Sequence, residues 1–67
     1  MGSTYKKIEV VGTSGKDVTE AIENAVATAS ETVKNMRWFE VVEVRGNIRD
    51  GKVGEYQVTL KIGFRLE

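Results

Sequence analysis

The chain has 67 residues, with ten Lys and Arg, ten Asp and Glu, and no cysteine, histidine or proline. Disulfides and thiolate chemistry are therefore excluded, and so are the commonest general base and the commonest zinc ligand. The formal charge is zero, so the basic excess usual in nucleic-acid binding is missing. A single domain of this size, taken here as residues 1–67, buries only a modest share of its surface. With disulfides and histidine-bound zinc set aside, self-association is the remaining way to stabilise it. No apolar run is long enough for a membrane span, and no secretory signal is visible. Lys6 stands where a myristoylation signal needs Ser or Thr. The expected location is cytoplasmic, with no membrane or nucleic-acid partner.

In chain order, Met1-Gly2-Ser3 is left out of the fold reading, and Tyr5 to Val11 is β-rich and stops at Gly12, which predicts a strand over 5–11. Ser14 is the candidate helix N-cap, with Asp17 in the place of a capping-box partner. Asp17 and Glu20 put negative charge where the helix dipole favours it. Val18, Ala21, Ile22, Ala25, Val26, Ala29, Val33 and Met36 fall on one helical stripe, which predicts a helix over 15–36. The alanines in that stripe let the helix lie close to a sheet. Lys34 and Arg37 then sit near its C-terminus, where cations are favoured.

Residues 38–48 and 53–66 read as two further strands. Asp50-Gly51 between them supplies the two positive φ values of a tight hairpin turn. In the last strand Tyr56, Val58, Leu60, Ile62, Phe64 and Leu66 alternate with Glu55, Gln57, Thr59, Lys61, Gly63 and Arg65. The expected fold class is α+β, in β-α-β-β order, with a three-stranded antiparallel sheet around one helix.

A two-residue turn sets the hairpin register. An unbroken ladder pairs Phe39 with Ile62 and Val41 with Leu60 on the helix side. On the other side it pairs Trp38 with Gly63, Glu40 with Lys61, Val42 with Thr59 and Val44 with Gln57. That outer face then carries Trp38, Val42 and Val44, too much apolar surface for a solvated sheet. Gly63 opposite Trp38 leaves space beside the indole. A helix of roughly 21 residues spans about 32 Å and a strand of 14 residues about 46 Å, so the sheet overhangs its helix. A homo-oligomer with a buried outer-face tryptophan is the expectation from pattern alone.

The stretch Gly12-Thr13-Ser14-Gly15-Lys16 has two residues between its glycines and Asp17 after the lysine, so it is not a P-loop. Glu40 and Glu43 fall on opposite faces of a regular strand and make no catalytic pair. Glu20 and Glu23 read as solubilising helix residues. Trp38 is open to two readings: an anchor at a subunit interface, or a stacking platform for a flat aromatic ligand. Gln57, with an amide that both donates and accepts, either reads the polar edge of such a ligand or bridges subunits.

Several segments together resemble the dodecin family in order and spacing. They are Tyr5-Lys6-Lys7-Ile8-Glu9, Val11-Gly12-Thr13-Ser14, Trp38-Phe39-Glu40-Val41, Arg45-Gly46, Glu55-Tyr56-Gln57-Val58-Thr59 and Gly63-Phe64-Arg65-Leu66-Glu67. The resemblance spans Tyr5 to Glu67. It implies a hollow homododecamer of cubic symmetry that stores or scavenges flavin and is not an enzyme. It implies flavins bound in pairs between tryptophans of neighbouring subunits, with Trp38 at the stacking position and Gln57 at the position that hydrogen-bonds the ring. FMN is the expected cofactor, with riboflavin or FAD as variants and coenzyme A as a further ligand. Arg45 and Arg65 match basic positions associated with the phosphate side. Arg65 shares the Gln57 face by parity; Arg45 does so only if a bulge interrupts the ladder. Arg37 departs from the aspartate frequent in the family. The competing readings are a structural oligomer without flavin, a coenzyme A-binding shell, and a flavin-dependent enzyme, the last disfavoured without a cysteine or histidine.

Overall fold

The computed structural model describes residues 2–66. Strand β1 (Tyr5–Ser14) leads into helix α1 (Val18–Ala29), followed by β2 (Met36–Arg49) and β3 (Lys52–Arg65). The sheet is antiparallel in the order β1-β3-β2, so β3 is central and β1 and β2 are its edges. The alternation of Val58, Leu60 and Ile62 follows from this: β3 is the strand whose inner side chains meet the helix, and those three are fully buried. Across from them lie Ala21, Ala25 and Ala29, also buried. No described helix is long and apolar enough to cross a membrane.

The helix is shorter than its apolar stripe predicts. Its N-cap is Asp17, whose Oδ1 accepts the Glu20 backbone N–H at 2.8 Å. Ser14 instead closes β1: its hydroxyl accepts from the Lys16 N–H at 2.9 Å and donates to Glu20. The helix stops at Ala29, where the Ser30 hydroxyl donates back to the Ala27 carbonyl at 2.7 Å. Thr28, Ser30, Thr32 and Val33 are weak helix formers, and such hydroxyls compete with the backbone ladder. Val33 keeps its place in the stripe because its N–H still reaches the Ala29 carbonyl at 2.9 Å. Asn35 then takes a left-handed conformation, φ 63°, and the chain turns into β2. Lys34 and Arg37 thus lie beyond the helix.

The hairpin turn has Asp50 at φ 55° and Gly51 at φ 75°, the two positive values its sequence demands. Beyond the turn the ladder is broken three times. Arg49 pairs with Lys52 and Ile48 with Val53, and then Gly54 is an extra residue on β3. From there Asn47 faces Glu55, Arg45 faces Gln57, Val44 faces Val58 and Glu43 faces Thr59. Val42 is extra on β2, which restores Val41 to Leu60, Glu40 to Lys61, Phe39 to Ile62 and Trp38 to Gly63. Arg37 is extra again before Met36 meets Phe64.

These bulges correct the uninterrupted register. Val44 belongs to the helix side of the sheet, opposite Val58, and Val42 is a bulge residue opposite nothing. The outer face of β2 therefore presents Trp38, Glu40, Glu43 and Arg45, and is largely polar. The unfinished apolar surface is on the other side. The 12-residue helix packs mainly on β1 and β3. The inner side chains of β2 lie outside its cover, with Phe39 49% and Val44 53% exposed. The radius of gyration is 13.9 Å, against about 11 Å for a compact chain of this length. The β2–β3 hairpin projects, giving extents of 54 × 20 × 13 Å.

The helix comes close against β1 at Gly12. A Cβ there would lie 2.0 Å from the Ala21 carbonyl oxygen and 2.7 Å from the Ala25 Cβ. Gly12→Ala must push the helix off β1, and the expected cost is about 1–3 kcal/mol, the range for overpacking. The measurement is the denaturant midpoint of unfolding; an unchanged midpoint would show that the helix moves freely on the sheet.

Candidate functional site

The outer face of the sheet runs in cross-strand rows. Lys7, Gly63 and Trp38 share one row, and Glu9, Lys61 and Glu40 the next. Because residue 63 has no side chain, the Trp38 indole folds inward across the central strand. A Cβ at Gly63 would fall 2.2 Å from Cζ2 and 2.3 Å from Cε2 of the indole. The ring thereby reaches β1, where Tyr5 meets it with ring centroids 5.3 Å apart at 60°. That tilted geometry is favourable for two aromatic quadrupoles. The ring lies over Gly63, and Trp38 as a whole remains 41% exposed. A flat aromatic surface on a rigid strand, backed by backbone, is suited to stacking.

Tyr5 escaped the sequence reading as a site residue. The signal that could have found it is the β1–β3 register, which pairs Tyr5 with Arg65, one row from Gly63. A second link crosses the same bare strand position: the Lys7 ammonium forms an ion pair with Glu40, joining the two edge strands over β3. The hydrogen bond from Lys7 lowers the pKa of the Glu40 carboxyl; partial desolvation opposes it, and the Lys7 and Lys61 charges and the Trp38 indole add smaller lowering effects.

The four residues singled out from sequence fall into two places. Arg45 and Gln57 are cross-strand partners, and the Arg45 Nε–H donates to Gln57 Oε1 at 2.9 Å. The Gln57 amide nitrogen donates to Glu55 Oε1 at 3.1 Å. Together with Val11, Thr13, Glu43 and Thr59, this pair lines a shallow depression of about 310 Å³. The bulge at Gly54 is what turns Arg45 to the Gln57 face. Trp38 and Arg65 lie at the other end of the sheet. The Arg65 backbone N–H donates to the Asn35 carbonyl at 3.0 Å, tying β3 to the turn that precedes Trp38. Residues 57 and 63 of β3 are separated by about 20 Å of strand. One chain therefore does not bring its Trp38 and its Gln57 to the same small ligand.

The Lys7–Glu40 link has a definite pH dependence. A depressed folded-state pKa means that the link is present above the ordinary carboxylate range and lost as pH falls through the folded value. Lys7→Met should return the Glu40 carboxyl toward its ordinary pKa, as read by carboxyl-carbon NMR titration. An unmoved Glu40 titration would show that the link does not hold in solution.

Comparison with known proteins covers nearly the whole chain. The family model described as Dodecin matches residues 4–67. A dodecin of Thermus thermophilus is 52% identical over 67 residues, spanning all of this chain and 97% of the relative. The solved dodecin of Streptomyces coelicolor superposes with a TM-score of 0.94 at 55% identity, covering 97% of this chain and 93% of that one. Structures of R45A, R65A and W38F variants of the Thermus thermophilus dodecin match with a TM-score of 0.94 at 50% identity, each covering 98% of this chain and 97–98% of the variant. On the match of model, sequence and backbone over nearly every residue, this chain belongs to the dodecin family.

Proposed function

We propose that this protein is a flavin store: a cytoplasmic homododecameric shell in which isoalloxazine rings stack on Trp38 and are protected from photochemistry. The observation that carries the reading is the exposed indole laid flat over Gly63, a surface the size and polarity of which suit a flat aromatic ring. Stacking of this kind contributes about 0.5–1.5 kcal/mol beyond the area buried. Gln57 supplies a donor and an acceptor for the ring edge, and Arg45 and Arg65 supply cations for an anionic tail. The substitutions R45A, R65A and W38F in the Thermus thermophilus dodecin concern the same residue types at the same numbers.

The spacing within one chain favours a site shared between chains. A ring on Trp38 of one subunit meets the Gln57–Arg45 pair of another, since a single subunit holds the two about 20 Å apart. The exposed inner side of β2, with Phe39, Val41 and Val44, supplies apolar surface for the assembly. FMN is the favoured flavin, with riboflavin and FAD as alternatives and coenzyme A as a further ligand. Storage rather than turnover fits a chain with no histidine or cysteine to move protons.

Adding FMN to the purified protein should quench flavin fluorescence strongly, because the ring contacts an indole directly. Trp38→Ala should abolish the quenching while the mass in solution stays that of the assembly. Quenching that survives Trp38→Ala would remove the stacking role. Loss of assembly in Trp38→Ala, with no flavin bound by either form, would favour the structural oligomer. Tyr5→Ala should weaken FMN binding by about 0.5–1.5 kcal/mol, the worth of an aromatic pair, and Tyr5→Phe should retain it. Equal affinities in all three proteins would deny Tyr5 its part in holding the indole.

A further inference from the structure

An indole that gives an electron to an excited ring is left oxidised, and unless it is refilled it reacts onward and is consumed. The chain has one tryptophan, two tyrosines and no cysteine. Cysteine is a common first site of oxidation, so that donor is missing. The ring in contact with the indole is Tyr5, with centroids 5.3 Å apart at 60°. That separation lies within the range of directly paired aromatic rings, so an electron can cross without a bridging group. The contact exists because Gly63 has no side chain and the indole lies across β3 toward β1. Tyr56 is remote: it pairs with Ser14 and Gly46, about 23 Å of strand from Gly63.

The two partners are chemically unequal. At neutral pH a phenol that releases its proton gives up an electron more readily than an indole does. Tyr5 is 43% exposed, so water can take that proton. One electron passes from Tyr5 to the oxidised Trp38, the phenolic O–H bond breaks, and its proton goes to water. An indole that has already lost its N–H proton takes one back from water. Trp38 is restored, and Tyr5 is left as a neutral phenoxyl radical. The electron held by the reduced ring then returns to the phenoxyl, which recovers a proton, so no outside reductant is consumed.

We infer that Tyr5 is the electron donor that refills oxidised Trp38 and so protects the indole from permanent oxidation. The transfer between the two side chains stands on their contact alone; its use against light rests on the flavin reading above. The first experiment therefore uses the assembled protein without flavin. Azide radicals made by pulse radiolysis oxidise the single tryptophan, and the absorption of the two aromatic radicals is followed in time. In wild type the indole-radical band should decay as a phenoxyl band rises at the same rate, independent of protein concentration. Tyr5→Phe keeps the ring pair but removes the O–H, and there the coupled rise should be lost and the indole radical should live longer. Tyr56→Phe should behave as wild type. An indole radical that decays alike in wild type and Tyr5→Phe would overturn the inference, and so would a coupled rise lost in Tyr56→Phe. The second experiment illuminates FMN-loaded wild type and Tyr5→Phe in air and measures oxidised Trp38 by peptide mass spectrometry. Faster loss of Trp38 in Tyr5→Phe is the expected result; equal loss, with FMN bound to both, would overturn the protective role. Failure of wild type to bind FMN would sink the flavin reading and the protective role, while the flavin-free measurement would still decide the transfer.

Discussion

The constraint on which the rest depends is the mismatch between one short helix and a long sheet. Twelve helical residues cover two strands, while β2 and β3 each run for 14 residues. Alanines at 21, 25 and 29 and the bare backbone at Gly12 let the helix sit tightly on β1 and β3. Tight contact there leaves no reach toward β2. The inner side of β2 keeps its apolar side chains in water, and a chain with so few fully buried large residues has little stability to spare. Surface of this kind invites burial against further copies of the chain.

The bulges in the hairpin decide where the chemistry goes. An uninterrupted ladder would put Arg45 behind the sheet and Val44 in front. One extra residue on β3, Gly54, exchanges them: Arg45 swings to the face of Gln57 and Val44 to the face of Val58. A side chain at 54 would collide with Asn47 Oδ1, which fits a glycine at that position. Val42 then cancels the shift, so that Trp38 still falls on Gly63. Period-2 alternation makes this economical, because a single inserted residue reverses every side chain up to the next insertion. The outcome is a polar outer face carrying a single indole, and an apolar strip gathered on the other side.

On that outer face Gly63 is the hub. Its missing side chain lets two links cross the central strand, the Trp38–Tyr5 ring contact and the Lys7–Glu40 ion pair. Both join β1 to β2, which share no ladder. The indole is thereby fixed in orientation while one side of it stays open. A stacking surface that is already oriented loses less freedom on binding than a mobile one.

Much of the fold was legible in the residues. Strict alternation in β3 marked the central strand's buried side, the Asp50-Gly51 pair specified the turn, and Trp38 opposite Gly63 followed by counting back from it. The family resemblance rested partly on these positions, Trp38 and Gly63 among them, and partly on β1 and Arg45-Gly46. What periodicity concealed was the end of the helix, because Val33 continues the apolar stripe through an irregular turn after the helix has closed at Ser30. It also concealed the register beyond Gly54, since a bulge leaves the local composition of a strand unchanged. By itself the sequence determined which segments pair, where the hairpin turns and which aromatic stands out, for those depend on neighbouring residues in the chain. Only the tertiary structure decided which face each β2 side chain occupies, that Tyr5 backs the indole, and that Trp38 and Gln57 stand too far apart to share a ligand within one subunit. Those facts depend on distances between strands remote in sequence, which local pattern does not encode.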